Sequence, residues 1–395
     1  MKDHAYVRIG IVGIGNIGWV HAHSVYTGMI QNAVLSAVCD ISPQRQKMCT
    51  EEYPGIPFFT DYHEMFCSGI IDAVHIATPH RLHADIAMEA LRCGLHVLVE
   101  KPEDITVSKA EALNRAAAKA GKTFAIMFNQ RTNTLFAKAR EIVRSGQLGE
   151  LVRTNWIVTN WYRTQKYYDS GTWRATWNGE GGGVLLNQAP HNLDLWQWIC
   201  GMPCEITAFC SEGKHHHIEV EDEATIIAHY PNGATGVFIT STGEASGTNR
   251  LEIVGTQGKI VIENGLLKHW SLSENERNYC FDPAADQRKL TTTCFEMRQE
   301  EAEPGHRGIL QNFVDHILCG EPLIAPGADG IYELTISNAA YLSAWQGNRR
   351  VELPLDAAEF DRCLQERIAR SKPKSCAETV TKNTDYISRW KTKWS

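Results

Sequence analysis

The sequence predicts two units in tandem: an α/β domain built on a parallel sheet, followed by an α+β domain whose sheet is mainly antiparallel. Three observations carry this expectation. At 395 residues the chain is longer than one hydrophobic core usually organises. Its first third alternates short, wholly apolar runs with helical patterns. Beyond Glu205, strand-like runs follow one another with only turns between them.

Tyr6–Val12 reads as a buried strand, with a glycine turn and a helix to about Gly28 after it. Ala33–Cys39, Ala73–Ala77, His96–Val99 and Thr123–Met127 are the further strands of this half. Ser42–Tyr53, opened by Ser42-Pro43, Leu82–Cys93 and Ser108–Ala120 are the helices between them. Strands that are apolar throughout and separated by helices belong to a parallel sheet covered on both faces. After Arg131 a helix at Thr134–Ser145 leads into a strand at Gly149–Val158, then an aromatic-rich loop from Asn160 to Gly183 and a helix at Gln188–Cys200. Strands at Glu205–Ser211, Glu223–Tyr230, Gly233–Thr242, Arg250–Gly255 and Lys259–Glu263 are joined by turns such as Pro231-Asn232-Gly233. Helices return at His306–Cys319 and Asp329–Gln346. The expected division is 1–130, 131–355 and a mixed-charge tail, 356–395, that the pattern does not place.

A net charge of −7 without a basic cluster argues against nucleic acid as a partner. No apolar run approaches the roughly 18–20 residues that span a bilayer. The first strand begins within a few residues of Met1, which leaves no space for a signal peptide, so a cytoplasmic protein is expected. The 12 cysteines include no C-x-x-C pair, so we expect reduced thiols and no metal. The run His215-His216-His217 resembles a ligand set, but neighbours on a strand point to opposite sides, and an exposed hairpin is expected.

Gly13-Ile14-Gly15-Asn16-Ile17-Gly18 follows an apolar strand and opens a helix. That is the setting in which G-x-G-x-x-G makes a dinucleotide-binding Rossmann turn. Asp40 follows the second strand, where a carboxylate bonds ribose hydroxyls and repels the extra phosphate of NADP. NAD is therefore the expected cofactor, although Arg45 lies close in sequence and reads as a solvated helix residue.

Glu100-Lys101-Pro102 after a strand end, Ile76-Ala77-Thr78-Pro79 before it, and His191 some way downstream complete a pattern with the glycine turn. Over about residues 5–355 the chain resembles the glucose–fructose oxidoreductase/inositol dehydrogenase (Gfo/Idh/MocA) family. The resemblance implies a second domain with a large open sheet, assembly as a homodimer or homotetramer, and chemistry on a hydroxyl of a sugar, glycoside or cyclitol. It also implies a cofactor site formed by the glycine turn with Asp40, Ile41, Thr78, Pro79, His83, Glu100, Lys101 and Asn129. Lys101 is expected beside the nicotinamide and the reacting oxygen. Asn187, His191 and Asp194 stand at helical spacing on one face, provided Pro190 falls in a first turn. Proton transfer falls to His191 or Lys101, orientation to Asn187, and a substrate hydroxyl to Asp194. Family members often carry aspartate where Asn187 stands, and an amide cannot take its charge.

The loop before this helix offers Trp161, Tyr167 and Trp173 as flat faces for a sugar ring, with Arg163 among them; core packing is the competing role for such aromatics. The function expected is an NAD-dependent dehydrogenase of a sugar, glycoside or cyclitol alcohol. A redox-neutral NAD-dependent glycosidase and a non-catalytic NAD-binding regulator are the alternatives.

Overall fold

Six parallel strands carry the first third of the chain: β1 (Val7–Val12), β2 (Ala33–Cys39), β3 (Phe58–Phe59), β4 (Ala73–Ile76), β5 (His96–Val99) and β6 (Phe124–Ile126). The computed structural model describes residues 6–299, 303–372 and 374. The strand order is β3-β2-β1-β4-β5-β6, so the direction of winding reverses between β1 and β4. A crevice opens at such a reversal outside the carboxyl ends of the strands, which is where this architecture binds ligands. β1 and β4 are buried on both faces because α1 (Asn16–Tyr26), α2 (Pro43–Glu52), α3 (Tyr62–Cys67), α4 (His83–Arg92) and α5 (Val107–Ala120) alternate with the strands. The two-residue β3 and the six-residue α3 are too short for any periodicity to announce them.

α6 (Thr134–Arg144) leads into β7 (Leu151–Val158), and three helices follow: α7 (Gln165–Tyr168), α8 (Val184–Asn187) and α9 (Pro190–Cys200). The second sheet has nine strands in the order β14-β13-β12-β11-β7-β10-β9-β8-β15. Its members after β7 are β8 (Glu205–Glu212), β9 (Glu221–His229), β10 (Thr235–Ser241), β11 (Asn249–Gly255), β12 (Gly258–Glu263), β13 (Leu266–Leu272), β14 (Thr292–Arg298) and the short β15 (Val351–Glu352). The sheet is antiparallel except where β10 runs parallel to β7. Trp196 of α9 stacks on Phe238 of β10 at 5.6 Å, and its indole N–H donates to Thr154 at 3.1 Å. The helix that bears His191 is thereby seated on this sheet.

Three segments leave the expected plan. β13, β14 and β15 extend the sheet beyond the five strands expected after Glu205, with α10 (Glu276–Cys280) between β13 and β14. α11 (Gly305–Cys319) follows that sheet in sequence but buries Ile309, Leu310, Phe313 and Val314 in the core of the first unit. α12 (Gly330–Trp345) then returns to the second core, and α13 (Ala357–Ile368), in the stretch expected to be a tail, joins it. α13 is capped by Asp356, whose carboxylate accepts from the Glu359 amide at 3.0 Å. Phe360 is fully buried, with its ring stacked on Trp345 at 5.5 Å. Among the described residues no helix is long and apolar enough to cross a membrane.

Removing a buried phenyl leaves a cavity as well as losing its transfer energy. Phe360→Ala is expected to lower unfolding free energy by about 3–5 kcal/mol. Urea unfolding followed by fluorescence measures this; a loss below about 1 kcal/mol would show that α13 is dispensable to the core.

Candidate active site

The glycine turn is shaped by close approach. Gly13 has φ +88°, and a Cβ there would lie 2.7 Å from the Ala77 carbonyl oxygen on the neighbouring strand end. A Cβ on Gly18 would overlap the Gly13 carbonyl, so α1 can start this close to β1 only with glycine at both places. Above Gly15 nothing lies within 4 Å. The amides of Asn16 and Ile17 open α1 beside it, an arrangement that suits a pyrophosphate. Asp40 sits at the edge of the turn. Its carboxylate accepts from the Ile14 amide at 2.7 Å and the Ser42 amide at 2.9 Å, so it braces the loop from the end of the second strand. Ile41 is 88% exposed beside it, whereas Arg45, expected in solvent, is buried.

Of the remaining residues expected to touch the cofactor, Thr78 and Pro79 are only half-buried at the end of β4. His83 and Glu100 lie behind this surface. The His83 imidazole is fully buried between the Thr78 and Pro102 carbonyls, each at 2.7 Å, and ties the two motif segments together. Glu100 points inward, 2.8 Å from His21 Nε2 and 3.8 Å from His75 Nε2. Burial works to raise its pKa, but the His21 hydrogen bond and the neighbouring imidazoles hold it below the ordinary carboxylate range. His21, His75 and Glu100 bring potential ligand atoms within 4.8 Å of one another, yet all three are buried. Asn129 is buried too, with its amide 3.4 Å from His306 Nδ1.

Lys101 turns the other way, and its Nζ donates to the Asn187 carbonyl at 2.8 Å. Two elements far apart in sequence thus meet at one ammonium. The helix that bears His191 does not run on from Asn187. α8 ends there and α9 begins at Pro190, because proline has no N–H to continue the ladder and its ring would collide with the carbonyl four residues back. His191 is consequently in the first turn of α9, and Asn187 caps nothing. Burial depresses the His191 pKa well below its ordinary value, and the Lys101 charge adds to this. Burial also lowers Lys101, against the opposing pull of Glu100, Glu333 and Glu180.

Asp194 differs most from expectation. Arg131 donates to both of its oxygens, at 2.9 and 2.7 Å, and Gln197 donates to one of them at 3.0 Å. With no open oxygen facing the cleft, Asp194 holds Arg131 instead of a substrate hydroxyl. Arg131 also reaches Asp329 at 2.6 Å, so the segment after β6 is tied both to α9 and to the start of α12.

The aromatic loop divides between core and cleft. Trp161 is 1% exposed, with its indole N–H on Asn192 at 3.3 Å, and so packs as core rather than as a sugar platform. Trp173 is half-buried, edge-on to His80 at 5.7 Å. Tyr167 is half-buried as well, and its hydroxyl accepts from Arg174 at 2.9 Å and Gln188 at 3.3 Å. Arg163 lies over the Tyr167 ring at 4.8 Å. The histidine run is structural: His215 pairs with Glu223 and His216 with Asp222, each at 2.9 Å. Sequence reasoning missed Glu180, Gln188 and His80. A carboxylate directly before Gly181-Gly182-Gly183 was the one available signal.

The brace between Asp40 and the turn has a measurable consequence. Asp40→Ala is expected to weaken NADH binding about tenfold or more, since a charged hydrogen bond contributes roughly 1.5–3 kcal/mol. NADPH affinity should hold or improve. Titration of both nucleotides by fluorescence tests this, and equal losses for the two would remove Asp40 from cofactor discrimination.

Two family models match this chain. Residues 7–128 match the oxidoreductase family with NAD-binding Rossmann fold, and residues 136–261 match the GFO/IDH/MocA C-terminal domain. Myo-inositol 2-dehydrogenase of Thermotoga maritima is 24% identical over 346 residues, covering 85% of this chain and 95% of the relative. The scyllo-inositol 2-dehydrogenase (NAD(+)) of Bacillus subtilis is 25% identical over 343 residues, covering 85% and 93%. Among solved structures, the WlbA dehydrogenase of Chromobacterium violaceum in complex with NADH and UDP-GlcNAcA is 28% identical, with TM-score 0.76 over 90% of this chain and 98% of that one. The matched segments together span more than half of the chain, which belongs to the Gfo/Idh/MocA family of NAD-binding oxidoreductases.

Proposed function

We propose that this enzyme oxidises a secondary alcohol of a sugar, glycoside or cyclitol, with Lys101 as the proton acceptor. The observation that carries this reading is the placement of the Lys101 ammonium on the Asn187 carbonyl, between the NAD-binding crevice and the helix of His191. Inositol dehydrogenases among the relatives support the substrate class.

NAD+, when bound, supplies the hydride acceptor: the substrate C–H hydrogen leaves with its electron pair as the C–O π bond forms. The hydroxyl proton has to leave the same carbinol. Burial lowers the Lys101 pKa, so more of the lysine is free amine at a given pH than in an exposed side chain. That amine donates one hydrogen to the Asn187 carbonyl and turns its lone pair to the hydroxyl, which delivers its proton to Nζ. His191 stays neutral under the same burial and orients the hydroxyl by a hydrogen bond. Trp173 and Tyr167 stand half-buried at the approach to this point, with the Arg163 and Arg174 guanidiniums over the Tyr167 ring and Gln188 and His80 beside them.

Lys101→Met is expected to lower kcat for alcohol oxidation by about 10²–10⁴ with NADH affinity retained. His191→Asn should cost less and act on KM as well. Because burial lowers the Lys101 pKa, oxidation by the parent enzyme should rise with pH through a midpoint below the roughly 10.4 of an ordinary lysine. A panel of inositols, glucosides, levoglucosan and a UDP-linked sugar acid, followed by NADH absorbance, tests all three expectations. Full activity in Lys101→Met would end this reading.

A further inference from the structure

We infer that Glu180 is the carboxylate partner of the Lys101 site, a positioning residue that acts through Asn187. It turns the Asn187 amide oxygen toward the substrate and sets the charge environment of Lys101. This rests on the reading of Lys101 as the proton acceptor for a hydroxyl.

Glu180 is 2% exposed and held on several sides. Its Oε2 accepts from the Ala175 amide at 2.6 Å, and its Oε1 accepts from Asn187 Nδ2. Its own backbone amide bonds the Thr176 carbonyl at 2.9 Å, and its carbonyl lies 3.3 Å from His80 Nδ1. The turn that presents it is tight: Ala175 has φ +55°, a left-handed conformation that costs an L-residue energy. The following Gly181 packs so closely on Ile105 that a Cβ would lie 2.7 Å from it. A buried carboxylate in so constrained a loop has little freedom to swing away.

The consequence lies at Asn187. An ionised carboxylate only accepts hydrogen bonds, so the end of the amide that faces it is Nδ2. Asn187 Oδ1 is then directed away from Glu180, is not enclosed, and has no hydrogen-bond partner among the described residues. An amide oriented in this way offers an acceptor to a hydroxyl, as an aspartate would, while the negative charge is held one contact further back. The charged groups facing Glu180 are Arg174 and Lys101, with the Tyr168 hydroxyl also in reach; those facing Lys101 are Glu100, Glu180, Glu333 and Arg174, with His80, His83, His191 and His306 also within electrostatic reach of its ammonium. Burial raises the Glu180 pKa above the ordinary carboxyl range, and Arg174, the Ala175 amide, Asn187 and Lys101 oppose this. As pH falls, Glu180 therefore takes up a proton earlier than an exposed glutamate, and the orientation of Asn187 is lost from the acid side.

Competitive acetylation of Lys101 across a pH series, read by mass spectrometry, reports its pKa without requiring turnover. E180Q should lower that pKa by about one unit or more, the usual effect of losing a neighbouring opposite charge. E180Q/N187D returns a carboxylate to the site and should restore it. E180D keeps a buried anion but is one methylene short of Asn187, and should lower the Lys101 pKa by a smaller step if the glutamine variant does not fold. With a substrate in hand, E180Q should lose about tenfold or more in kcat, regained in the double variant. Lys101 titrating unchanged in E180Q or E180D, with NADH affinity intact, overturns the proposal. A shifted Lys101 in a parent enzyme that oxidises no hydroxyl compound supports the Glu180 link and rejects the dehydrogenase reading instead.

Discussion

The site depends on one buried ion pair. Arg131 leaves the end of the first sheet and closes on both oxygens of Asp194, one helical turn beyond His191. Both side chains are 1% exposed. A buried pair adds little over an apolar contact, but losing one partner leaves a charge in the interior at roughly 3–5 kcal/mol. The pair is extended by Asp329 and covered by the rings of Phe128 and Trp198, at 5.1 and 5.3 Å from the guanidinium carbon. It therefore acts as a positional lock: the helix of His191 has one docking against the strand ends that hold Lys101.

Around that lock the protein gathers ionisable groups that burial alone would neutralise. Lys101 loses proton affinity by burial and regains part of it from Glu100, Glu180 and Glu333. His191 and His306 feel Glu100 too, but burial and the neighbouring positive charges outweigh it, and His306 is pushed down to about 4. One group is thus brought nearer the working pH while its neighbours stay neutral. Groups pushed apart in this way can divide proton transfer from orientation.

The segment that leads into α8 is organised by a different device, three glycines in a row. Gly183 and Leu185 donate their amides to the buried Glu221 at 2.9 Å each, and Tyr341 bonds the same carboxylate at 2.7 Å. Side chains on these glycines would collide with Ile105, Tyr341 and Glu221. The loop is drawn onto the second core, and Glu180 and Asn187 emerge on either side of it.

Local periodicity and glycine chemistry determined much of the fold. β1, β2, β4 and β5 and the glycine turn were legible because a doubly covered parallel strand has to be apolar throughout, and because only glycine permits the Gly13–Gly18 approach. The break before Pro190 was partly legible, since proline cannot sit deep in a helix, although its placement after Asn187 was not. Side-chain facing was hidden. Trp161 and Trp173 look alike in the sequence, yet one fills the core and the other is half-buried against His80. Asp194 resembled a substrate ligand until Arg131, 63 positions earlier, was seen to occupy it. α11 read as an ordinary helix and α13 as part of a mixed-charge tail, and nothing local says which core each joins. Sequence determines which residues can be strand, turn or acid–base group, because those properties are local. Which of them face one another is settled only when the chain closes, because burial and pairing belong to residues distant in sequence.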